Sequence, residues 1–154
     1  MPDSTFRTRS VGPVSELGSD ALVVHCSDPR YQPHFQQFLQ TCAGLPRYTL
    51  VAVPGGPHFL TLAEYLPKFS WVGWRWAKFV MDVGRPARVI LIAHDDCRWY
   101  LDQRFAHLHG QMHERQLDDL RKVQADLRER FGPLDIEIWF ARLDGHEVTF
   151  DRVG

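Results

Sequence analysis

Cys26, His94 and Cys97 are the residues whose types and spacing can do chemistry together. Two thiolates and one imidazole form a donor set that suits zinc better than magnesium or calcium. His94 and Cys97 stand three residues apart, so a helical turn between them would aim both side chains the same way. Three protein ligands leave a fourth tetrahedral position open, as in a catalytic site, whereas a structural zinc site closes all four. A cysteine at a strand end is by itself most often a buried small hydrophobe. The reading therefore depends on convergence of the three, and so on the elements that deliver them.

Ala21-Leu22-Val23-Val24-His25-Cys26 is an apolar run stopped by Ser27-Asp28-Pro29-Arg30, which predicts a buried strand ending in a loop. Phe35, Phe38 and Leu39 recur at helical spacing before Gly44 and Pro46. Residues 48–53 read as a second strand, and Pro54-Gly55-Gly56-Pro57 as a sharp turn whose backbone approaches the strand end. Over 68–83, Val72, Trp76, Phe79, Val80 and Val83 make one helical face, while Trp71, Trp74 and Met81 lie elsewhere on the cylinder. A helix apolar on several faces in so small a chain predicts a subunit interface.

Residues 87–93 form the most continuous apolar run and deliver His94-Asp95-Asp96-Cys97. Residues 111–131 predict a one-sided surface helix through Leu117, Leu120, Gln124, Leu127 and Phe131, closed by Gly132-Pro133. Strands at 136–141 and 147–150 flank Asp144-Gly145, a hairpin signal. The alternation predicts an α/β fold, a mostly parallel sheet flanked by helices with an antiparallel C-terminal edge hairpin. Ligands of such sheets bind beyond the strand carboxyl ends, where strand order reverses. If the first and third strands adjoin, Cys26 meets His94 and Cys97 in that crevice.

The composition fits one domain: 154 residues, 44% hydrophobic and 24% charged, with 18 Lys and Arg against 19 Asp and Glu. Ten Phe, five Trp and four Tyr supply a core and exclude disorder for most of the chain. The expected organisation is an extended arm over 1–20 and a single domain over 21–154. A formal charge of −1 argues against nucleic acid as partner, and no apolar run approaches the roughly 20 residues of a membrane span. Three cysteines suit a cytoplasmic protein. Cys42 reads as a packing thiol, and His25 points away from Cys26 by strand alternation. His107, His109 and His113 form an imidazole patch read chiefly as surface histidines, with a second metal or proton shuttling as the less favoured use.

Cys26-Ser27-Asp28-Pro29-Arg30 after a first parallel strand, with His94-x-x-Cys97 after a later one, resembles β-class carbonic anhydrase. The order of elements over roughly residues 20–152 is similar too, including the apolar helix before the histidine strand and the closing hairpin. The resemblance implies zinc on Cys26, His94 and Cys97, an Asp28/Arg30 dyad, and reversible hydration of carbon dioxide to bicarbonate by zinc-bound hydroxide. It also implies a homodimer or a larger even-numbered assembly.

Asp28 would orient the hydroxide while Arg30 holds the carboxylate, or Asp28 would itself become the fourth ligand of a closed state. Two thiolates neutralise more metal charge than neutral ligands do, so the rate is expected to rise from neutral to alkaline pH. A flat pH–rate profile would contradict this. The chain departs from the family where Ala93 precedes the His-x-x-Cys motif and Arg98-Trp99-Tyr100 follows it. Two other readings are a noncatalytic zinc protein and a hydrolase of a carbon dioxide analogue such as carbonyl sulfide or carbon disulfide.

Overall fold

Ala21–Cys26 are all buried and form strand β1; in Arg88–His94, strand β3, every residue after the first is buried. Such runs belong to sheet centres covered on both faces, which is why they show no polar alternation. The computed structural model describes residues 5–8, 12, 14–61, 67–102 and 111–154, apart from the Phe69 side chain. The remaining elements are α1 (Gln32–Thr41), β2 (Tyr48–Val53), a 3-10 turn (Gly56–Thr61), α2 (Pro67–Gly84), α3 (Met112–Phe131), β4 (Asp135–Asp144) and β5 (Glu147–Arg152). Among the described residues the five strands form one sheet in the order β2-β1-β3-β4-β5. β1 to β4 run parallel, and β5 pairs antiparallel with β4.

Strand order reverses between β1 and β3, because the chain leaves β1 for one neighbour and returns to pair on its other side. Their ladder stops at Val24↔Leu91, leaving Cys26 and His94 beyond the last pair. α1 covers one face of the sheet, packing Phe35, Phe38 and Leu39 against Val23, Ile90 and Ile92. α3 and the 3-10 turn cover the other, with Leu120, Val123, Leu127, Phe59 and Leu60 against Leu22, Val24, Leu91 and Ile138. Each such aliphatic side chain taken from water contributes about 1.5–3 kcal/mol.

The C-terminal hairpin is longer than the sequence predicts. β4 continues past Ala141 because Arg142, Leu143 and Asp144 pair with Thr149, Val148 and Glu147, around Gly145 at φ 61°. α2 turns a different face to the core than its large apolar residues suggest. Gly73 and Ala77 are buried, with Trp74, Val80 and Met81 partly covered, while Trp71, Trp76, Phe79 and Val83 stay exposed. A Cβ at Gly73 would collide with the Phe59 ring, so close approach of small residues orients this helix.

Of the N-terminal stretch, Ser19 is tied down: its N–H donates to Gly84 O (3.1 Å) and its hydroxyl accepts from Thr49 N–H (3.0 Å). Val14 and Leu17 are exposed. No described helix is long and apolar enough to cross a membrane.

Candidate metal centre

The carboxyl ends of β1 and β3 bring Cys26 Sγ, Cys97 Sγ and a ring nitrogen of His94 within 4.8 Å of one another. All three side chains are buried. The backbone builds this closeness locally. Asp96 adopts φ 52°, reversing the chain between His94 and Cys97. Gly56 at φ 56° lets the turn after β2 lie against β1, since a Cβ there would sit 2.9 Å from the backbone nitrogen of Cys26. The loop of Pro54-Gly55-Gly56-Pro57 thus approaches the strand end as its glycines predict.

Backbone donors serve both sulfurs. The Gly55 N–H donates to Cys26, and the Trp99 and Tyr100 N–H groups donate to Cys97. His94 Nδ1 lies 2.7 Å from the Asp95 carbonyl, which can only accept, so Nδ1 carries the proton and Nε2 presents its lone pair. That Nε2 is buried and has no hydrogen-bond partner. Gln116 Nε2 donates to His94 O (2.9 Å), and the Tyr31 ring lies against the imidazole with centroids 4.1 Å apart.

The two thiols are coupled by a hydrogen bond. The bond from Cys97 draws the Cys26 thiol below its ordinary range, with burial opposing and His94 assisting. Cys97 is pushed up by its bond to Cys26 and by burial. An orphaned buried imidazole nitrogen beside two buried sulfurs is a costly arrangement for an apolar interior. A soft divalent cation would satisfy all three atoms, so the donor set fits zinc.

Asp28 and Arg30 form the expected pair. Arg30 donates from Nε to Asp28 Oδ1 (3.0 Å), from Nη2 to Oδ2 (2.6 Å) and from its backbone N–H to Oδ1 (2.9 Å). The guanidinium holds the Asp28 carboxyl below its ordinary range. Asp28 lies outside the cluster of metal-type atoms. Arg30 also reaches across to Asp96, at 2.7 Å to Oδ2 and 3.0 Å to the carbonyl. Asp96 further binds Arg98 (3.3 Å), whose side chain is largely exposed. Asp28, Arg30 and Arg98 line a cavity of about 560 Å³ together with Cys26, Pro54 and Trp99.

Sequence reasoning missed Asp96, Gln116 and a buried polar network under the Cys97 loop. Tyr100 donates to Asp119 Oδ2 (2.6 Å), Arg115 lies 3.1 Å from Asp119 Oδ1, and Trp99 Nε1–H donates to His58 Nδ1 (2.8 Å). Burial drives His58 down to about 4 and lifts the Asp119 carboxyl, so at neutral pH His58 is an uncharged acceptor for the indole. Polar residues at 116 and 119 on the buried stripe of α3 were the available signal.

His25 packs on Phe35 (4.4 Å), on the face of β1 away from α3. Cys42 is exposed and is no packing thiol: α1 buries Phe38 and Leu39 and the chain after it buries Leu45, which leaves residue 42 facing solvent. His113 is exposed, its ring T-shaped against Phe140, and is not part of the metal-type cluster; His107 and His109 lie outside the described residues.

No family model and no curated protein matches the sequence. Among solved structures, β-carbonic anhydrase isoform I of the protozoan Trichomonas vaginalis aligns with TM-score 0.53 at 12% identity, over 92% of this chain and 87% of that one. Carbonic anhydrases of Streptococcus mutans (TM-score 0.49, 13% identity, 95% and 87% covered) and Glaciozyma antarctica (0.47, 18%, 86% and 82%) also align. The chain has the β-carbonic anhydrase fold, with a Cys–His–Cys group able to hold a metal at the switch point of its sheet.

Proposed function

We propose that the protein is a zinc enzyme that interconverts carbon dioxide and bicarbonate, with Cys26, His94 and Cys97 as the metal ligands. The observation that carries this reading is the orphaned Nε2 of His94, buried within 4.8 Å of two sulfurs, beside an intact Asp28–Arg30 pair. Zinc held there supplies Lewis acidity, which lowers the cost of deprotonating a water. Asp28, ionised and fixed by Arg30, accepts a hydrogen bond at the wall of the cavity and orients whatever donates it. Arg30 and Arg98 line the same cavity with Asp28 and Asp102, so its described charges are balanced. The pairing of Asp28 with Arg30 favours this reading over a noncatalytic protein in which Asp28 closes the metal site.

The decisive experiment is stopped-flow hydration of carbon dioxide by zinc-loaded protein at neutral and alkaline pH. A rate above buffer, rising with pH, is expected. A rate equal to buffer at both pH values overturns the assignment, and the same assay with carbonyl sulfide and carbon disulfide tests the analogue hydrolase. A reducing, cytoplasmic setting suits the site, because an oxidised Cys26 or Cys97 could not ligate.

The protein also acts in this reading as a homodimer or larger even-numbered assembly. Support comes from Trp71, Phe79 and Val83 exposed on α2, with Leu50 exposed on the edge strand β2. Phe79→Glu removes an apolar group twice from a two-fold interface. At about 2 kcal/mol per copy, the dimer dissociation constant is expected to rise about a thousand-fold, read by sedimentation velocity with far-UV circular dichroism unchanged. An unchanged association state would remove this face from the interface.

A further inference from the structure

Beside the metal cavity lies a second one of about 310 Å³, whose described lining is apolar apart from Lys68 and includes Phe59, Val72 and Trp76. Pro54 and Trp99 line both cavities. Proline cannot move far, so the indole of Trp99 is the part of the partition whose identity decides whether the two spaces communicate.

We propose that Trp99 is the specificity-determining wall of the site, keeping an apolar cavity large enough for a phenyl ring from reaching the metal centre. The inference rests on the metal reading above and deepens it by naming the substrate class. The site takes small heteroallenes or their hydrated anions and rejects molecules that carry an aryl or branched alkyl group next to the reacting atom.

Three contacts hold the wall in place. The indole N–H donates to His58 Nδ1 at 2.8 Å. The ring is seated on Gly55, where any Cβ would collide with it. The next residue, Tyr100, is anchored by its hydroxyl to Asp119 at 2.6 Å. Fixing an indole at these points costs it rotamer freedom and removes the swing that would open the partition. Arg98 does not duplicate this role: its side chain is 71% exposed and is drawn to Asp96 at the rim.

The test compares two metal-binding probes that differ by one apolar ring, imidazole and 4-phenylimidazole, titrated into the cobalt-loaded protein and read by visible absorption. In wild type the phenyl group is expected to add no more than about threefold to affinity, because it stays in water or meets the indole. In Trp99→Ala the phenyl ring gains the apolar cavity. 4-Phenylimidazole is then expected to tighten about 30-fold relative to imidazole, while imidazole itself changes little.

Trp99→Phe, which keeps a ring in the wall, should stay near wild type. Trp99→Leu should fall between, and it decides the matter if the alanine variant does not fold. The proposal is overturned if the ratio of the two affinities is the same in wild type and in the folded Ala or Leu variant. It is equally overturned if wild type already prefers the phenyl probe about tenfold. A wild-type protein that takes up no cobalt overturns the metal reading and the partition with it, an outcome distinct from a loaded protein whose probes do not discriminate.

Discussion

Zinc content is expected to fall from about one per chain to below about 0.1 when Cys97 is replaced by serine, with carbon dioxide hydration falling to the buffer rate. A serine hydroxyl is close to isosteric with the thiol, so the loop from Asp96 to Tyr100 and its donors to position 97 can persist. What is lost is the thiolate. Losing a mere hydrogen-bonded neighbour of a metal ligand typically costs 10–100-fold in affinity or activity, and loss of one of three ligands should exceed that. The same substitution removes the metal's contribution to folding. Free zinc at about a thousand times its dissociation constant adds about 4 kcal/mol to wild type, roughly 10 °C in Tm for a domain of this size. The Cys97→Ser protein should show no such rise. Retained zinc, or a retained rate, would place the metal elsewhere.

Arg30→Ala is expected to lower the hydration rate about 10–100-fold while zinc stays bound. The substitution removes the guanidinium bonds at 3.0 and 2.6 Å but leaves the backbone N–H of residue 30 on Asp28 at 2.9 Å. Without its counter-charge the Asp28 carboxyl climbs from its depressed position back toward the ordinary carboxylate range, so at neutral pH it remains an anion. An unpaired anion beside a divalent cation will turn to it. X-ray absorption should therefore show one more oxygen ligand in the variant, the closed arrangement that the intact pair opposes. Arg30→Lys keeps the charge without the planar fork and should lie between the two. An unchanged rate together with an unchanged metal shell would deny Arg30 this role.

The sheet was legible because its central strands are covered on both faces, so residues 21–24 and 89–93 are continuously apolar and could be read without periodicity. The orientation of α2 was not legible. Large apolar residues surround that helix, and the face that docks is chosen by what Gly73 and Ala77 lack, a property visible only once Phe59 is in place. α3 misled in the opposite way. Gln116 and Asp119 are polar yet buried, and their partners, the His94 carbonyl and the Tyr100 hydroxyl, are set by the packing of another segment.

Residue types and spacing by themselves pointed to Cys26, His94 and Cys97 as a donor set and to the strands that end in them, while the Asp28–Arg30 pair was implied by the family resemblance. Only the tertiary structure decided that β1 and β3 are neighbours, that Asp96 reaches Arg30 from 66 residues away, and that Trp99 stands between two cavities. Short spacings are bounded by local backbone geometry, whereas long ones depend on strand order and register, which the whole core selects.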